Sequence, residues 1–187
     1  MDKITKVLLP IIFLFLFVIP VHADGVAGSS AKIQIASVSN NIVYNVNKIY
    51  RTKIVLRTVL ERYNSPLANE VDSFIDACQK YNLDCYLLPS IAGLESTFGQ
   101  FVYPDSYNPF GWGGGYIKFD NWSQSIDTVA QGLRLNYINR GATSVPAIGR
   151  IYSESPTWAI RVQNFINQFR QEEDKLPLFL SENKVEL

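Results

Sequence analysis

Leu87-Leu88-Pro89-Ser90-Ile91-Ala92-Gly93-Leu94-Glu95-Ser96-Thr97-Phe98-Gly99 is an apolar run with a single acid in it. On a helix, residues three and four apart share a face, so Leu87, Ile91, Glu95 and Phe98 fall on one stripe. Asp84 or Cys85 opens this helix, Pro89 is tolerated only in its first turn, and Gly99 ends it. By pattern alone, a carboxylate in an apolar stripe is out of place. Buried there without a partner, its charged form is penalised, which is the condition a general acid working near neutral pH requires. The plainer reading puts Glu95 in the last turn, at the margin of the stripe and pointing to solvent. In that position it opposes the helix dipole, so it is placed against local stability.

Soon after comes Tyr107-Asn108-Pro109-Phe110-Gly111-Trp112-Gly113-Gly114-Gly115, a turn of aromatics and glycines. Flat rings beside flexible backbone suit a groove that holds a flat, polar polymer such as a sugar chain. Residues 99–122 are dense in Gly, Pro, Tyr and Asp and too long for a simple connection, which points to function. Within them Tyr116–Phe119 reads as one brief strand.

Around this centre the pattern is helical. From Thr52 to Asn64, Val55, Leu56, Val59 and Leu60 share a face opposite Lys53, Arg57, Glu61 and Arg62. Ser65 can cap a second helix with Pro66 in its first turn, and Leu67, Val71, Phe74, Cys78 and Tyr81 form its stripe. A further helix is expected from about Ser123 to Asn139, with Ile126, Val129, Leu133 and Tyr137 inward and Gly141 as its stop. Ser144 and Pro146 begin a short helix through Tyr152. Ser155 and Pro156 begin the last, which buries Trp158, Val162, Phe165, Ile166 and Phe169. The fold class is therefore mainly α, carried by residues 52–170. Residues 24–51 lack a helical period and read as a linker or N-terminal arm, with weak strand-like alternation at Lys32–Ala36. The acidic tail 171–187 also lacks a period and reads as unstructured.

The 187 residues are 47% hydrophobic and 18% charged, with seventeen basic residues balancing seventeen acidic ones, so nothing marks nucleic acid as a partner. Lys3 and Lys6 precede the apolar run Val7–Val21, and Val21-His22-Ala23 offers a cleavage site, so residues 1–23 read as an export signal. A membrane partner enters only if that segment stays uncleaved as an anchor. Both readings place the domain outside the cytoplasm, secreted or in the cell envelope.

The single histidine, His22, falls inside the segment expected to be removed. Ser-His-Asp triads, Cys-His pairs and His-ligated zinc sites all need an imidazole, so the mature chain is left with carboxylates, tyrosines and lysines. No metal or other cofactor is implied. Cys78 and Cys85 flank the break between two helical patterns. In an oxidising compartment they can close a small loop, the alternative being two buried thiols.

Three segments in order carry a resemblance: Ile91-Ala92-Gly93-Leu94-Glu95-Ser96-Thr97-Phe98-Gly99, Asn108-Pro109-Phe110-Gly111, and Tyr152-Ser153-Glu154-Ser155-Pro156-Thr157-Trp158-Ala159. Over roughly Leu67 to Phe169 the chain resembles the glucosaminidase domain of glycoside hydrolase family 73, within the lysozyme-like superfamily, whose members cleave peptidoglycan glycan strands. The resemblance implies a lysozyme-like helical fold with Glu95 as general acid, Asn108 to Gly111 as groove floor, and Tyr152 and Trp158 near the cleft. Tyr103, Tyr107, Phe110, Trp112 and Trp122 would supply sugar-stacking surface or, alternatively, core. The chain departs from that family in having no glutamate between Glu95 and Glu154 and only a reduced β-lobe. A second carboxylate would have to be Asp105 or Asp120. Otherwise the chemistry does without one, as when the substrate's own N-acetyl group attacks or when a lytic transglycosylase uses a single glutamate.

The expected function is cleavage of the β-1,4-linked amino-sugar backbone of peptidoglycan. Two other classes stay open at this point: a glycan-binding module without catalysis, and a structural envelope protein in which Glu95 is a satisfied core acid.

Overall fold

Helix boundaries in this protein follow the capping chemistry at each end. In the computed structural model, which describes residues 27–177, α1 spans Ala27–Arg62 and stops as Asn64 turns left-handed at φ 48°. Ser65 then caps a 3₁₀ turn, Pro66–Glu70, its Oγ accepting from the Leu67 amide at 3.0 Å, and the turn runs into α2, Val71–Lys80. Asp84 Oδ1 accepts from the Tyr86 amide at 2.9 Å just ahead of α3, Leu87–Ser96, with Pro89 in its first turn. Asn121 caps α4, Trp122–Gly132, through the Gln124 amide at 2.8 Å. A π-helical turn, Leu133–Tyr137, and a 3₁₀ turn, Ile138–Arg140, extend α4 to the stop at Gly141. Ser144 caps α5, Val145–Tyr152, and α6 spans Trp158–Asp174.

The chain from Asn40 onward forms one compact unit, and α3 is its centre. Every residue from Leu87 to Gly93 is buried. α3 lies against α6, α5 also packs on α6, and α2 packs on α4. Each fully buried aliphatic side chain along these contacts, such as Ile91 or Leu88, is worth about 1.5–3 kcal/mol in the transfer estimate. Cys78 at the end of α2 is joined to Cys85, with Cα atoms 4.9 Å apart, so the disulfide reading holds in the geometry. The bond ties the end of α2 to the approach to α3.

Four expectations need correction. Residues 27–51 are helical and continuous with the segment from Thr52; no proline or glycine interrupts the chain from Ser29 to Ser65, so no breaker stops the helix there. It follows that the Lys32–Ala36 alternation forms no strand, since those residues lie within α1. Tyr116–Phe119 does not form one either: Phe119 donates to the Ser106 carbonyl at 2.8 Å without a ladder, and no strand occurs among the described residues. The β-lobe expected there is an irregular loop, 97–121.

Phe98 reaches the core by another route than the helix stripe. The helix ends at Ser96, and Thr97 and Phe98 both adopt left-handed backbone, at φ 51° and 57°, which folds the Phe98 ring back inside. Left-handed non-glycine residues cost on the order of 1–3 kcal/mol each. The full burial of Phe98 against Tyr63, Phe165 and Phe169 offsets that cost.

The chain beyond Gln171 is ordered further than its composition suggests, since α6 continues to Asp174. Arg51 explains this: its guanidinium donates to the carbonyls of Glu173 at 2.8 Å and Leu176 at 3.1 Å, capping the negative end of the α6 dipole. The expected export signal, 1–23, and the last ten residues, 178–187, lie outside the described residues.

Candidate functional site

Glu95 stands one residue before the end of α3, and its side chain is exposed. The expectation of a buried, unpaired acid is thus overturned, because the helix ends too soon after Glu95 for the next turn to cover it. The plainer reading was right about its position but not about its isolation. Trp158, the first residue of α6, donates its indole Nε1–H to Glu95 Oε1 at 2.7 Å. The other oxygen faces the Asn108–Gly111 turn, where a Cβ on Gly111 would stand 3.4 Å from Oε2.

Trp158, which the resemblance places near the cleft, is only 3% exposed, so it offers no open ring face to a ligand and takes part through its N–H. It stacks on Tyr152 with ring centres 4.9 Å apart, and α5 makes room through Gly149, where a Cβ would lie 2.8 Å from the indole. Tyr152 in turn donates its hydroxyl to the Phe110 carbonyl at 2.7 Å. Burial first, then the charge of Glu95 and the neighbouring Tyr137, push the Tyr152 phenol well above its ordinary range, so it stays neutral. Trp112 completes the aromatic group, half-buried beside Tyr152 and Tyr137 at 5.9 and 6.1 Å and seated over Gly132.

The loop that carries Gly111 is held by buried polar side chains. Asn108, 4% exposed, accepts from the Trp112 amide at 3.0 Å and donates to the carbonyls of Trp112 and Ile117 at 2.8 and 3.1 Å. All its capacity but one lone pair is used inside the loop, so it braces the loop from within and has little left for a ligand. Phe110 is completely buried, and only its carbonyl takes part in the site. Ser96, which carried no separate role in the sequence reading, joins the loop to α3: its hydroxyl donates to the Pro109 carbonyl at 2.7 Å and accepts from the Gly99 amide at 2.8 Å. The signal for it was present as the hydroxyl directly after the acid. Its partner, thirteen residues on, was not.

No family model matches this chain, and neither does any curated protein.

The remaining candidates stand apart from the Glu95–Trp158–Tyr152 group. Asp105 sits on an exposed left-handed turn at φ 57°. Asp120 is engaged at the start of α4, where its carboxylate accepts from Gln124 Nε2 at 3.1 Å and its amide donates to Gln124 Oε1 at 2.6 Å. Neither shares a hydrogen-bond partner with Glu95 among the described residues. Tyr103 is exposed and faces Tyr116 at 6.3 Å with Lys118 Nζ 5.7 Å above its ring. Tyr107, also exposed, meets Trp122 edge to face at 5.1 Å. No group of three or more His, Cys, Asp or Glu side chains that could hold a metal occurs among the described residues.

Proposed function

We propose that this chain cleaves the glycan backbone of peptidoglycan outside the cytoplasm, with Glu95 as the proton donor to the leaving oxygen. The observation that carries the reading is an exposed carboxylate with one oxygen tied to a buried indole and the other open beside a glycine turn. Such a group is accessible to a polymer and fixed in direction, as a proton donor must be. The family resemblance of the Glu95, Asn108–Gly111 and Tyr152–Trp158 segments supplies the substrate class, and the lack of any histidine beyond residue 22 narrows the available chemistry. Of the rings expected to meet sugars, Tyr103 and Tyr107 are exposed.

A second reading, a glycan-binding module without catalysis, is favoured by one observation: neither Asp105 nor Asp120 joins Glu95. A mechanism that uses the substrate's own N-acetyl group, or a single glutamate, accommodates the same fact. Mass analysis of purified peptidoglycan after incubation separates the readings. Hydrolysis gives new reducing ends, transglycosylation gives anhydro-muramyl ends, and unchanged strands that co-sediment with the protein mean binding alone.

A further inference from the structure

We propose that Trp158 is a positioning residue that decides which oxygen of Glu95 carries the reacting proton, and that Gly111 keeps that oxygen open to the leaving sugar. The inference rests on the glycan-cleaving reading above. An indole N–H can donate and cannot accept, so Glu95 Oε1, 2.7 Å away, is an acceptor whether the carboxyl is charged or neutral. The proton, when carried, is therefore on Oε2.

Oε2 is also the oxygen with room in front of it. Apart from the residue's own chain neighbours, nothing but the Glu95 carboxylate lies within 4 Å of the place a Cβ at position 111 would take. Gly111 has φ +63° and is itself exposed, so the backbone there is open to a ligand. A glycosidic oxygen that takes the proton from Oε2 has to arrive over this backbone, which places the leaving sugar on the Gly111 side of the carboxylate. Trp158 cannot slide out of register, because Tyr152 is stacked on it and the Gly149 backbone adjoins it.

The chemical step then divides cleanly between the two oxygens. As the bond from the anomeric carbon to the leaving oxygen breaks, its electron pair stays with that oxygen, which takes the proton from Oε2. The carbon is completed by the substrate's own acetamido oxygen, or by water or the 6-hydroxyl, whose proton then passes to Oε2 and restores the acid. In between, Glu95 is an anion whose Oε1 is still held by the indole, and a hydrogen bond to a charged acceptor is roughly twice as strong as one to a neutral acceptor. Trp158 thus contributes more as the proton leaves than before, and that pattern acts on kcat rather than KM.

The test uses the full exported protein in two measurements. The chain has three tryptophans and so three indole N–H resonances in a ¹⁵N–¹H spectrum. One of them, assigned by its loss in Trp158→Phe, should shift in Glu95→Gln, where a neutral amide oxygen replaces the carboxylate as its acceptor. On peptidoglycan, Trp158→Phe should lower kcat about ten- to hundredfold and leave KM within about threefold, the loss expected for one hydrogen bond to a charged group. An indole resonance indifferent to Glu95, an unchanged kcat in Trp158→Phe, or a loss that falls on KM alone each overturns the positioning role. If the Phe variant does not fold, sequential assignment of the indole resonances in the unaltered protein identifies Trp158 and decides the contact. If Glu95→Gln keeps full activity, the glutamate reading itself fails, and this proposal with it.

Discussion

The two sides of the Glu95 carboxylate are built by different means. On the Oε1 side stand helices: Trp158 at the head of α6 and Tyr152 at the end of α5, rings seated in the core and held by packing. On the Oε2 side stands a loop without strand or helix, in which Asp105, Tyr107 and Gly111 adopt left-handed backbone and Ser96 and Asn108 supply the internal bonds. The contrast teaches a division of labour. Packed rings give direction to the acid, whereas a polar-braced loop leaves its second oxygen accessible, something close packing would not allow.

The strongest way to break this comparison is Glu95→Gln. Glutamine keeps an oxygen for the indole, so the melting temperature should stay unchanged or rise, while cleavage of peptidoglycan falls by about two to four orders of magnitude, the usual worth of a proton donor. Retained lysis would make both sides of the carboxylate structural.

Asn108→Ala attacks the loop side alone. It removes three hydrogen bonds, to the Trp112 amide and to the carbonyls of Trp112 and Ile117, which at about 0.5–1.5 kcal/mol each should cost about 2–4 kcal/mol in urea unfolding. A loss below about 0.5 kcal/mol would mean that the loop does not depend on this side chain.

High pH attacks the helical side. Burial raises the phenols of Tyr152, Tyr86 and Tyr137, with the Glu95 charge adding to it at Tyr152 and the Glu173 charge at Tyr86. The folded phenols keep their protons to higher pH than the unfolded ones, whose value is about 10, so their contribution is complete below about pH 10 and is lost as pH rises past it. Melting temperature should therefore fall above about pH 10, with a shallower decline in Tyr152→Phe. Equal slopes in the two proteins would remove Tyr152 from the account.

The smallest effect is expected of Asp105→Asn and Asp120→Asn, since neither carboxylate meets the Glu95 group: each should keep activity within roughly tenfold. A fall as deep as that of Glu95→Gln would restore a two-carboxylate scheme, and the separation from Glu95 in a substrate complex would then tell retention, at about 5–5.5 Å, from inversion, at about 6.5–9.5 Å.

The same contrast explains what could be read from the chain. Local rules placed the caps at Ser65 and Ser144, the first-turn Pro89 and the stop at Gly141, because each acts within a few residues of itself. Glu95 stood out because an acid in an apolar run breaks a local pattern. Its partner Trp158 lies sixty-three residues away; the helical period marked it as buried and the resemblance put it near the cleft, but neither reports what its N–H will meet. The extension of α1 back to Ala27 was missed for a different reason: its sequence carries no helical stripe, and only the absence of breakers announces it. The strand at Tyr116–Phe119 was expected from β-favouring residues, but Asn108 takes the Ile117 carbonyl that a ladder would have used.

Arg51 turns the unit from a line into a ring. Its guanidinium joins carbonyls as far as 126 residues away, so the first helix of the unit and the end of its last hold each other without a covalent bond. Helix ends ordinarily fray one at a time and nearly for free. Here fraying of the α6 end releases the Arg51 turn of α1, and the two should exchange their amide hydrogens as one cooperative segment.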